Sequence, residues 1–134
     1  MPRIHILIVF SLVIVLAAIS CGGARLSSSD IRLYETLPDK RLAENALAHF
    51  IDSNFYKAID TYAIILDRTN AGPSYRAWAR YETGFCYYYM KDFKRAREHF
   101  EKVRRDFPQA EFASQRILAE MLIEKIDTGK TDGI

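Results

Sequence analysis

The sequence predicts an all-α fold of packed helical hairpins, and three observations carry that prediction. From Pro38 onward apolar side chains recur at helical spacing, and no five-residue stretch alternates apolar with polar as a half-buried strand would. Two segments repeat each other at an offset of 38 residues. The chain has 134 residues and 49% hydrophobic content, enough for one domain even after the very apolar first twenty residues are set aside.

Those first residues, MPRIHILIVFSLVIVLAAIS, join a basic start at Arg3 to an apolar run of about fifteen residues, the layout of a secretory signal and short for a membrane span. The stretch Leu16-Ala17-Ala18-Ile19-Ser20-Cys21 resembles a bacterial lipobox, although Ala18 stands where leucine is commoner. The resemblance implies cleavage before Cys21 and acylation of that cysteine, a retained anchor or plain cleavage being the alternatives. Several acyl chains, at about 0.8 kcal/mol per buried methylene, would hold a small domain on a membrane permanently. Gly22 rather than aspartate follows the cysteine, and by the rule of enteric-type lipoproteins that points to the outer membrane, facing the periplasm. Without residues 1–20 only Arg3 leaves the count, and 18 basic side chains face 17 acidic ones. That balance offers no clustered basic surface for a nucleic-acid backbone.

The elements follow in order. Residues 21–37 are expected to be the lipidated N-terminus and a flexible tether, in which 22–30, GGARLSSSD, are small and polar and would reach roughly 15 to 20 Å. Helices are expected near 38–53, 55–68, 73–90, 92–106 and 109–127, with 128–134 a disordered tail. Asn54 and Asp92 open the second and fourth, as residues whose side-chain oxygens can cap free backbone amides. Behind them Phe55, Ala58, Tyr62 and Ile65 match Phe93, Ala96, Phe100 and Val103, an internal repeat.

Residues 77–110 carry a fuller pattern: Gly84, Tyr87, Ala96, Phe100 and Pro108, spaced by three, nine, four and eight. Gly84 and Ala96 are small where two helices cross closely, Tyr87 and Phe100 fill the space beside them, and Pro108 ends the second helix. These types at these intervals resemble the tetratricopeptide repeat, a 34-residue helical hairpin. The resemblance spans about residues 39–127, with departures at Arg80 and Thr83, at Ala46 and His49 in the first hairpin, and at the insertion Asn70–Ser74. It implies two hairpins plus a C-terminal capping helix, in a short right-handed α-solenoid. Phe112, Ile117, Leu118, Met121, Leu122, Ile123 and Ile126 supply the cap's apolar set.

The residues give no support to catalysis. Past the leader there are two histidines, His49 and His99, on different helices and outside any nucleophile motif. His49 takes the place of Tyr87 and is expected at the helix interface, His99 in solvent. No Cys-x-x-Cys, His-x-x-x-His or phosphate-binding glycine loop occurs, so no metal, cofactor or small-molecule substrate is expected. Cys86 is expected to pack beside Ala79 as a small apolar residue. The charged run Lys91–Asp106 reads as a solvated face, with Arg97–Glu101, Glu98–Lys102 and Glu101–Arg105 one turn apart.

Binding is better supported. Trp78, Tyr81, Phe85, Tyr88 and Tyr89 form one helical stripe, matched in the first hairpin by Lys40, Ala43, Leu47, Phe50 and Ile51. By the resemblance these positions line a concave groove, and Trp78, Tyr81, Phe85, Tyr88, Tyr89, Leu47, Phe50 and Ile51 are the candidate partner-binding residues. Such a surface suits an extended hydrophobic segment or an amphipathic helix of an envelope protein better than an acidic tail. The alternative is that the stripe is covered, by the closing helix, by Ile31–Leu37, or permanently by another subunit or a second copy.

Overall fold

The computed structural model describes residues 23–131, and among them every regular element is helical. The helices are α1 (Ser28–Tyr34), α2 (Asp39–Ile51), α3 (Phe55–Asp67), α4 (Pro73–Tyr89), α5 (Phe93–Asp106) and α6 (Ala113–Asp127), with a 3₁₀ turn at Ala110–Phe112 before the last. Each helix from α2 to α5 packs against the next and α5 against α6, so the chain folds into the two expected hairpins, α2–α3 and α4–α5, plus a closing helix. The first helices of the units also touch each other, α2 against α4 and α4 against α6.

The core runs along these contacts. Leu42, Ala58, Ile65, Ala96, Phe100 and Val103 are fully buried, and the small residues permit the approach of large ones. At Gly84 a Cβ would stand 2.7 Å from the Phe100 ring, which is why a residue without one occupies that crossing. The register-equivalent crossing has Ala46 against Tyr62, both buried.

The hairpin turns are alike to the hydrogen bond. At Ser53 and at Lys91 the backbone is left-handed, with φ of 60° and 59°. Ser53 N–H donates to the Phe50 carbonyl and Asn54 N–H to that of His49; Lys91 and Asp92 repeat both bonds, to Tyr88 and Tyr87. This is a Schellman end built without glycine. Gly129, a further 38 residues on, has φ of 68°, and Gly129 and Lys130 donate to Ile126 and Lys125 in the same way. The closing helix is therefore the first helix of a third unit in register.

Three expectations change. Where a flexible tether was expected at 21–37, residues 23–37 are held to the domain at several points: Leu26 is buried, Arg25 pairs with Asp60 and lies 4.7 Å over the Tyr56 ring, and α1 rests on α3. Its start is a capping box, in which the Ser27 hydroxyl accepts from Asp30 N–H and the Asp30 carboxylate accepts from Ser27 N–H. Beyond it Arg68 fastens the loop, donating to the Tyr34 and Glu35 carbonyls and to Asp39 at 2.9 Å. Of residues 128–134, expected to be a disordered tail, Thr128, Gly129 and Lys130 finish the α6 cap, the Thr131 carbonyl accepts from Tyr88, and 132–134 lie outside the described residues. Of the expected caps, the Asp92 carboxylate accepts from Arg95 N–H at 3.1 Å, whereas the Asn54 side chain makes no capping bond and stands against Gly23.

Candidate functional site

The candidate groove residues arise from α2 and α4, whose contact brings their aromatic rings together. Phe50 stacks on Phe85 at 5.7 Å between centroids and meets Tyr89 edge-on at 5.2 Å; Phe85 and Tyr89 are 5.0 Å apart, and Phe55 closes the group 5.9 Å from Tyr89. Offset and edge-on rings at these distances favour one another beyond their buried area and make a stiff base. Around it Leu47, Ile51, Trp78 and Tyr89 remain exposed, Ile51 to 71% and Trp78 to 40%.

The stripe on α4 is thus two stripes. Tyr81 and Tyr88, seven residues apart, are buried at 6% and 5% exposure and face the neighbouring elements. Tyr81 lies 5.7 Å from Phe100, and Tyr88 lies 5.4 Å from Phe93 with its hydroxyl donating to the Thr131 carbonyl at 3.4 Å. These two serve packing, while Trp78, Phe85 and Tyr89 face the side shared with α2. The closing helix anchors one edge: with the Gln115 amide oriented to satisfy both of its groups, its oxygen accepts from Trp78 Nε1 at 2.9 Å and its nitrogen donates to the Phe112 carbonyl at 3.2 Å. Segment 31–37 does not cover the stripe; its Tyr34 stacks on His49, and the hydroxyl and Nε2 are 3.2 Å apart.

A pocket of about 170 Å³ continues the groove between the hairpins, walled by Leu47, Tyr62, Ile65, Tyr75 and Trp78. Its one charged lining residue is Glu82, whose carboxyl is pushed up to about 7 by burial. Sequence reasoning did not single out Glu82, although a signal was present: Glu44, Glu82 and Glu120 recur at the 38-residue offset.

Burial pushes the Cys86 thiol up to about 12, and its full enclosure leaves no accessible nucleophile. His99, expected in solvent, is half-buried 5.5 Å from the Tyr87 ring, and burial together with Arg80 lowers it to about 4. Of the expected charge pairs Arg97–Glu101 forms at 3.2 Å; Glu101 also takes Arg104, and Arg105 turns to Asp106, leaving the other two unmade. Among the described residues no group of three His, Cys, Asp or Glu side chains could hold a metal ion, and no helix is long and apolar enough to cross a membrane. Cys21 lies outside the described residues.

Residues 78–110 match the tetratricopeptide repeat family. That match runs from Trp78 through the α4–α5 turn to the start of the 3₁₀ segment, the unit in which Gly84, Tyr87, Ala96, Phe100 and Pro108 fall at the family's spacing. No curated protein and no solved structure matches the chain. The fold is of the tetratricopeptide type, helical hairpins stacked as a short solenoid, and such repeats generally mediate protein–protein interaction as non-enzymatic scaffolds.

Proposed function

We propose that this protein is a scaffold of a bacterial cell envelope, held by lipid on Cys21 at the periplasmic face of the outer membrane and binding a hydrophobic segment or amphipathic helix of another envelope protein. The observation that carries the binding site is the exposed apolar set Leu47, Ile51, Trp78 and Tyr89 over the packed rings of Phe50, Phe55 and Phe85. Exposed large apolar side chains on a rigid aromatic base are the makings of an interaction surface. The lipobox-like run supports the anchor, and the packed Leu26 and α1 would then hold the domain within a few residues of it.

A photocrosslinking residue at Ile51, in intact cells, tests the groove. Capture of a discrete partner, lost with Tyr89→Ala, is expected; no capture at Ile51 or Tyr89 sinks it. Cys21→Ser should abolish acylation and release the protein from membranes, and persistent attachment would point to a retained anchor.

A specific observation favours a second reading, in which the protein is a subunit of a fixed assembly or a self-associating dimer. Ile117, Leu118 and Met121 on α6 are exposed, although the last helix of a stack ordinarily turns a polar face outward. In register they correspond to Ala79, Arg80 and Thr83 of α4, where Ala79 and Thr83 are buried. Met121→Asp would dissociate such a dimer in sedimentation, and a monomeric wild type would dispose of that alternative.

A further inference from the structure

The three register-equivalent glutamates differ in what they face. Glu44 is paired with Arg41 at 3.0 Å and Glu120 with Arg104 at 3.7 Å. Glu82, between them, makes no ion pair or hydrogen bond among the described residues. The residue three before it, where Glu44 finds Arg41, is Ala79, and the vacated space is the pocket of about 170 Å³ beneath Leu47 and Trp78. The side chains of Tyr62 from α3 and of Tyr81 and Cys86 from α4 feel its charge, and none of them supplies a cation.

Glu82 is half-buried; a carboxylate partly removed from water without a partner carries a desolvation cost, and a cation that reaches it recovers part of that cost. The walls suit the rest of such a ligand. Leu47 and Ile65 suit a methylene stem, while Tyr75 and Trp78 place aromatic rings beside a cation's path. The geometry points to a subsite of the groove: the pocket beside Glu82 receives the long cationic side chain, lysine or arginine, of the segment that docks across Leu47 and Trp78. This rests on the groove reading above and adds to it the chemistry of the partner, an apolar segment carrying one basic residue.

Trp78 is the protein's single tryptophan, so its fluorescence reports on this pocket alone. The full chain in a nonionic detergent is titrated with three tripeptide amides, acetyl-Ala-Lys-Ala, acetyl-Ala-Arg-Ala and acetyl-Ala-norleucine-Ala. At pH 8 at least one basic peptide should bind about tenfold or more tightly than the norleucine peptide, whose stem lacks the charge. Glu82→Gln should reduce the basic peptides to the norleucine level, Glu82→Asp should fall between, and Glu98→Gln, an exposed control on α5, should change nothing. Circular dichroism and melting confirm that each variant is folded. Equal affinity for all three peptides, or unchanged discrimination in folded Glu82→Gln, overturns the subsite. If the tripeptides are not discriminated while Ile51 still captures a partner, the subsite falls and the groove stands. If they are discriminated and no partner is captured, the cation pocket stands and the groove reading falls.

Discussion

The two hairpins share one backbone and differ in what completes them. The second keeps the repeat's own side chains at its crossing: Gly84 admits the Phe100 ring, Tyr87 lies tilted against His99 at 5.5 Å, Arg95 lies 4.6 Å over Tyr87, and the Asp92 carboxylate caps α5. The first has Ala46 in place of the glycine, His49 in place of the tyrosine, and an Asn54 that caps nothing. It is completed from outside, by Tyr34 against His49, Leu26 in the core and Arg25 on Asp60. A degenerate repeat is thus finished by preceding chain, because a position that loses a large side chain must be refilled.

Phe100→Ala removes the largest fully buried side chain of the second hairpin and should cost about 3–5 kcal/mol in chemical denaturation. Gly84→Ala should cost about 2 kcal/mol, its clash with Phe100 exceeding the roughly 1 kcal/mol that alanine gains in a helix, whereas Ala46→Gly should cost only that helix term, about 1 kcal/mol. Equal losses at the two sites would erase the distinction between the crossings.

Glu82 lies where the hairpins meet and gives a pH-dependent contrast. Its folded value, about 7, stands above the ordinary 4.5, so the folded state holds the proton more tightly. The destabilisation is absent below about pH 4.5, grows as pH rises and is complete above about 7. Glu82→Gln should therefore stabilise by about 1–2 kcal/mol at pH 8 and hardly at all at pH 4.5, read from melting curves at both. A gain independent of pH would mean that packing, not charge, is responsible.

Tyr34→Phe deletes the hydroxyl that meets His49 and should cost about 1 kcal/mol, with hydrogen exchange rising in α1 and α2 and not in α5. Lys91→Gly relieves a left-handed residue and should gain about 0.5 kcal/mol, as should Ser53→Gly; unequal gains would show that the turns differ energetically despite matching bonds.

The helices from α2 to α6 were legible because apolar period and prolines agree along that stretch, with Asp92 capping α5. The helix α1 was not, since serine-rich composition suggests a linker and the local signal lay in the pairing of Ser27 with Asp30. Site residues were legible as a set and not in their division. A helical wheel places Tyr81 and Tyr88 with Trp78 and Tyr89, but only the positions of α5 and of Thr131 decide which rings are enclosed. Glu82 escaped notice because a single carboxylate on a helix looks solvated until two hairpins close over it.

The left-handed turns at Ser53, Lys91 and Gly129 divide the chain at closely similar backbone states. Residues 54–91, copied in frame after Lys91, would enter and leave the same conformation that their neighbours already use, so that the solenoid could be lengthened by whole units without inventing a junction. Elongation by tandem duplication is in this sense written into the geometry of three residues, and a protein engineer has the splice points in hand.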